Sequence, residues 1–157
     1  YDLLPPELRE LRYVGRLDQD TEGLLLLTNE GEALHRLTHP SFGVEREYHA
    51  WVESPVAEDA LRGLERGVQL DDGPARATQV RIERRTGGKA VLSLVLQEGR
   101  KREVRRMLEA AGHPVARLRR VRYGPIVLSG LAVGEWRDLT PDEIRTLRRA
   151  VRLEETL

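Results

Sequence analysis

The chain has 157 residues, 26 basic and 26 acidic side chains, no cysteine and a formal net charge of zero. These numbers exclude disulfides, thiolate chemistry and cysteine-based zinc sites, and they leave no argument from global charge. No apolar run is long enough to span a membrane and no signal peptide is visible, which fits a reducing, cytoplasmic setting. The length suits one domain with its own core, and the opening at Tyr1 rather than Met suggests a piece of a longer protein.

Taken in order, the chain first offers Gly15-Arg16-Leu17-Asp18-Gln19-Asp20-Thr21-Glu22-Gly23, a charged turn that feeds into Leu24–Leu27. Four leucines bounded by turn residues predict a fully buried strand, with Asp18 on a loop anchored by it. Residues 29–38 predict a helix capped by Asn29 with Glu32 three residues on, facing inward through Ala33, Leu34 and Leu37 and stopped by Pro40. Residues 44–53 alternate as a strand with Val44, Arg46, Tyr48, Ala50 and Val52 on one face. Ser54-Pro55 predicts the opening of a second helix with Ala57, Leu61 and Leu64 inward and Gly67 at its end. Residues 75–85 and 89–97 read as two strands of a hairpin around Thr86-Gly87-Gly88. A third helix is predicted over 101–111, strand-like pieces over 115–128, and a last helix opening at Thr140-Pro141-Asp142-Glu143 with Ile144, Leu147 and Val151 inward. Interleaved helices and strands that include a hairpin predict an α+β fold with a mixed, mainly antiparallel sheet.

Three chemistries compete for the polar residues. Asp18, Asp20 and Glu22 with Gly23 match the start of a calcium loop, but Asn29 stands where a bidentate Glu is needed and the leucines want burial. His35 and His39 share a helix face without a third ligand at suitable spacing, so no metal site is expected. The remaining feature is charge clustering. Between Gly99 and Arg122 nine basic residues face only Glu103 and Glu109, leaving seven net positive charges that point to a polyanion. On a helical wheel Val104, Met107, Leu108 and Ala111 form the core stripe and Arg105 lies on its shoulder. Arg105 is thus able to enter a cleft and pair with a carboxylate, or to snorkel at the core edge. Lys101, Arg102 and Arg106 point outward, toward a partner's phosphates.

Gly15-Arg16-Leu17-Asp18 with Asp20 and Gly23, Glu98-Gly99-Arg100-Lys101-Arg102-Glu103-Val104-Arg105-Arg106-Met107, and Leu118-Arg119-Arg120-Val121-Arg122-Tyr123-Gly124-Pro125 occur in order. Together with Gly112-His113-Pro114 and Gly134-Glu135-Trp136-Arg137 they resemble the motifs of the RsuA/RluB/RluE/RluF group of ribosomal RNA pseudouridine synthases, the RluB-like branch most of all. The resemblance implies Asp18 as catalytic aspartate, Tyr48 against the target uracil and Arg105 as partner of the aspartate. It implies RNA or base contacts at Arg16, Leu118, Lys101, Arg102, Arg106, Arg119 and Arg120. Glu103 departs from the usual Gln and sets a charge near the RNA-facing helix. Residues 1–157 would be the catalytic domain, lacking the S4-like RNA-binding domain and the first part of the sheet.

The implied reaction isomerises a uridine in a stem-loop of 23S or 16S ribosomal RNA, 23S preferred, with no cofactor or metal, by a monomer. The base must leave its stack to be reached. Asp18 would act as an ionised group, either as nucleophile at C1′ or as base at C2′, and the arginines would hold phosphates without reading sequence. The alternative is a non-catalytic RNA-binding module of a ribosome-associated protein that uses the same basic stripe.

Overall fold

The computed structural model describes residues 4–153. Its centre is a six-stranded sheet around β4 (Arg46–Glu53), which lies between β8 (Lys89–Leu96) and β9 (Val115–Tyr123). Strand β8 is buried along nearly its whole length and pairs antiparallel with β4 on one side and β7 (Gln79–Thr86) on the other. Strand β9 pairs antiparallel with β4. Its far edge is shared by β10 (Ile126–Val127), antiparallel, and β2 (Thr21–Gly23), parallel. The expected mixed, mainly antiparallel α+β sheet is therefore observed. The hairpin expected around Thr86-Gly87-Gly88 is present, but Thr86 belongs to β7 and pairs with Lys89, so the turn is Gly87-Gly88 alone, both with positive φ as a tight two-residue hairpin requires.

Two helices, α2 (Glu58–Arg66) and α3 (Glu103–Ala110), cover one face of this sheet. Leu61, Leu64, Met107 and Leu108 pack there on Ala50, Val52, Leu92, Leu94 and Leu118. Beside them lies a small hairpin, β5 (Val68–Leu70) with β6 (Gly73–Ala75). A second core gathers β1 (Arg12–Val14), β3 (Leu26–Thr28) and α1 (Gly31–Thr38) around Val14, Leu26, Leu37, Tyr123 and Ile126. Helix α4 (Pro141–Ala150) closes that second core through Val151 just beyond its end. The Gly15–Asp20 loop runs from β1 to β2, and so joins the two cores.

Several local expectations change. The leucine run is not one buried strand. Leu24 bonds back to the Arg120 carbonyl beside β2, while Leu26 starts β3 in a separate two-stranded sheet with β1. Leu24 and Leu26 are buried and Leu25 and Leu27 only half so, because each segment has a single core face. Helix α1 begins after Glu30 and no side chain caps it; the Thr28 hydroxyl instead accepts the Glu30 amide, so Asn29 is not the cap. Helix α2 starts at Glu58, leaving Pro55 in the preceding loop and Ala57 exposed, because Val56 is the residue drawn into the core. Ile144 is exposed and Leu147 and Val151 do the packing. Helix α4 does carry the expected capping box, Thr140 accepting from the Glu143 amide and Glu143 from that of Thr140.

One glycine is required by packing. Gly23 has φ +112°, and a Cβ placed on it would lie 2.2 Å from the Arg120 carbonyl oxygen. Only a bare Cα lets β2 lie this close to β9.

Candidate active site

The turn after β1 is closed by the Thr21 amide, which donates to the Asp18 carbonyl at 2.9 Å. β2 then pairs with β9 at Thr21–Leu118, which carries the Asp18 loop to the middle of the sheet edge. On the neighbouring strand β4, Tyr48 stands directly across from Arg120. Asp18, Tyr48 and Leu118 thereby line one cavity of about 140 Å³, with Arg16, Lys101 and Arg102 also in its wall. This is a small space by the standard of ligand pockets, suited to a single ring.

Arg105 is 8 % exposed and lies behind the loop, outside that cavity. Its Nη2 donates to the Asp20 carbonyl at 2.7 Å, its Nη1 to the Val115 carbonyl at 3.4 Å, and its Nε lies 3.5 Å from Asp20 Oδ1. The carboxylate it meets is therefore that of Asp20, and its action on Asp18 runs through the backbone turn that both residues share. Arg102 takes a left-handed conformation at the start of α3 and clasps the same Asp20 carboxylate, at 2.9 and 3.1 Å. The Arg102 hydrogen bond holds the Asp20 carboxyl below the usual carboxylate range. Asp20 is thus the tie between the loop and α3.

The basic stripe of residues 100–122 does not form one surface. Arg106 pairs with Asp72 in the β5–β6 turn, at 2.7 Å, away from the cavity. Arg119 points to the opposite sheet face, where it and Arg117 pair with Glu22 beside the Trp51 ring. Arg120 is 2 % exposed, which places it under the cavity and removes it from the set of surface groups available to RNA phosphates. Alternation along β9 explains the split, since Arg119 and Arg120 must point to opposite faces. Glu103 is also corrected. It is 3 % exposed and turned inward, accepting the Arg100 amide at 3.0 Å, so it presents no charge to solvent. Burial, then the neighbouring Glu98, raises its pKa to about 7.

Three lining residues were not singled out on sequence. Arg46 is 4 % exposed and donates to the Val44 carbonyl at 3.0 Å and to the Tyr123 hydroxyl at 2.8 Å. Two guanidinium groups lie over the Tyr123 ring, Arg46 at 4.8 Å and Arg120 at 5.1 Å from its centre. Burial pushes the Tyr123 hydroxyl pKa up, so it stays a neutral donor, to the Leu37 carbonyl at 2.8 Å. Thr21 adds a hydroxyl to the wall. The signal for Arg46 was available, because it precedes Tyr48 by two residues and so shares its strand face. Among the described residues no group of three or more His, Cys, Asp or Glu side chains could hold a metal.

The model of the family described as RNA pseudouridylate synthase matches residues 1–110. The ribosomal large subunit pseudouridine synthase B of Bacillus subtilis is 44% identical over 138 residues, covering 86% of this chain and 56% of that protein. The protein of the same name from Salmonella typhimurium is 49% identical over 151 residues, covering 94% of this chain and 52% of that one. The chain thus spans about half the length of the curated relatives it matches. A pseudouridylate synthase crystal structure superposes with a TM-score of 0.82 at 34% identity, over 93% of this chain and 64% of the other.

Proposed function

The chain belongs to the RNA pseudouridylate synthase family, and we propose that it isomerises a specific uridine of ribosomal RNA, in the large subunit, to pseudouridine. The observation that carries this reading is Asp18 beside Tyr48 in a cavity of single-ring size, on a loop tied to the sheet and to α3. Residues 1–157 supply the catalytic domain in this reading. Among the described residues no helix is long and apolar enough to cross a membrane. We take the protein to work in the cytoplasm, as a monomer on an RNA stem-loop.

The extruded uracil stacks on Tyr48, with Leu118 as the apolar wall on the same cavity. The N1–C1′ bond breaks and its electron pair leaves with the base. C1′ is satisfied either by a bond to an Asp18 carboxylate oxygen or by loss of the C2′ proton to Asp18. The base turns and C5 bonds to C1′ as the Asp18–C1′ bond breaks or, on the other route, as Asp18 returns the proton to C2′; the C5 proton then departs and N1 takes one up. The arginine pairing of Asp20 fixes the loop so that Asp18 needs no rearrangement to reach the sugar, which is the entropic part of the rate gain. Arg16 and Lys101, at the wall, are the groups that meet the phosphates flanking the extruded nucleotide, while Arg102 is held by Asp20.

Asp18→Asn keeps the shape and removes the ionisable group. It should abolish tritium release from ribosomal RNA carrying 5-tritiated uridine, by at least about 10³-fold, while RNA binding persists. Undiminished turnover in that variant would overturn the assignment, and binding without turnover in the parent protein would favour a pure RNA-binding module.

A further inference from the structure

Among the described residues four buried side-chain polar atoms lack a hydrogen-bond partner: Thr21 Oγ1, Arg105 Nε, Arg120 Nη2 and Arg148 Nε. Thr21 and Arg120 both line the cavity beside Asp18. Folded proteins satisfy buried donors almost without exception, so two unsatisfied groups on one cavity point to something that occupies it. Arg120 is rigidly held for such a task. Its Nε donates to the Leu24 carbonyl at 2.9 Å, and its guanidinium rests over the Tyr123 ring. That leaves Nη2 as a spare, oriented donor. Arg46, 4.8 Å from the centre of the same ring, adds a second buried cation. Among the described residues neither arginine has a carboxylate within ion-pairing distance, although Asp18, Glu98 and Glu103 also line the cavity.

Resting on the reading above, we infer that Arg120 Nη2 and Thr21 Oγ1 form a subsite for a carbonyl oxygen of the extruded uracil and stabilise the base as its anion. The chemistry requires such a group. When N1–C1′ breaks, the electron pair stays on the base and spreads from N1 onto the two carbonyl oxygens. The same step leaves C1′ bonded to Asp18 or doubly bonded to C2′ after the C2′ proton moves to Asp18. Negative charge therefore grows on oxygens at a wall where Arg120 holds an unpaired donor. The Arg120 position, directly across from Tyr48 in the strand pair, puts the donor beside the base and not beside the flanking phosphates. This assigns Arg120 a different task from the surface arginines that its place in the sequence groups it with.

The test uses the leaving group. Arg120→Met should slow single-turnover rearrangement of unmodified ribosomal RNA by about 10²-fold or more, with RNA affinity within about twofold of the parent. RNA transcribed with 5-fluorouridine releases a base whose anion the fluorine already stabilises. There the Arg120→Met defect should shrink at least tenfold, read by chromatography of the rearranged nucleoside. An equal defect on both RNAs, or none on either, overturns the inference. If Arg120→Met does not fold, Thr21→Val is nearly isosteric and decides by the same comparison of the two RNAs. A parent protein that releases no tritium from ribosomal RNA removes the function reading itself, a result separable from a failure confined to Arg120.

Discussion

The two faces of the sheet at β9 use the same residue type in opposite ways. On the back face Arg117 and Arg119 are half exposed, pair with Glu22 and lie near the Trp51 ring. On the cavity face Arg120 and Arg46 are buried, bond to backbone carbonyls and stack on Tyr123 without a carboxylate partner. Exposed pairs are screened by water and salt and contribute little to stability. A buried cation without a counter-ion costs solvation that only hydrogen bonds and a ligand offset. Arginine count thus says little about where RNA binds; the presence or absence of a carboxylate partner separates structural charge from functional charge.

Several experiments break or sharpen this contrast. The largest effect should come at the seam that serves both faces. Gly23→Ala would set a Cβ into the Arg120 backbone at a positive φ, and calorimetry should show a loss of about 3 kcal/mol or more. On the cavity face, Arg46→Met removes the donor to the Val44 carbonyl and to the Tyr123 hydroxyl. Urea unfolding should show a loss of about 2 kcal/mol, because the acceptors left behind are buried. No loss would mean that removing an uncompensated charge cancels the lost bonds.

The third experiment concerns Glu103, a buried acid whose folded pKa is raised from 4.5 to about 7. Its folded pKa lies above its unfolded one, so the protonated form favours folding. The acid therefore costs nothing below about pH 4.5, and the cost grows as pH rises toward 7. Glu103→Gln should raise stability at pH 8 by on the order of 1 kcal/mol and leave it unchanged at pH 4, measured by thermal unfolding at both values. An equal gain at both pH values would show that the effect is not ionisation. The smallest effect belongs to the back face. The Arg117 hydrogen bond depresses the Glu22 pKa, so its contribution is present above the usual carboxylate pKa and is lost as pH falls through the depressed value. Glu22→Gln should change stability at pH 7 by less than about 0.5 kcal/mol, and salt at 1 M should erase the difference.

Local chemistry was legible in the chain wherever one residue and its near neighbours decide the outcome. The Gly87-Gly88 hairpin, the Thr140–Glu143 capping box and the alternation that puts Arg46 and Tyr48 on one face all follow from short-range geometry. The motif around Asp18 was legible for the same reason, since a charged turn entering an apolar run leaves few conformations. The leucine run departs from a single strand because its division between two sheets depends on β9 and β1, more than ninety and about ten residues away respectively. Helix α2 began later than Pro55 suggested because burial of Val56 outweighed the helix preference of the proline.

Charge was the least legible property. The sequence alone determined that basic residues cluster between 100 and 122 and that Asp18 and Tyr48 lie on a loop and a strand able to meet. It did not determine the partners of those basic residues. Asp20, Glu22 and Asp72 reach Arg102, Arg117 and Arg106 only because β2, the β5–β6 turn and α3 converge in space. Tertiary structure alone decided that Arg105 meets Asp20, that Glu103 turns inward, and that Arg120 lies under the cavity with a donor to spare. The physical reason is that a charge is defined by its surroundings: solvent and carboxylates neutralise it on one face, and their exclusion on the other makes it available for chemistry.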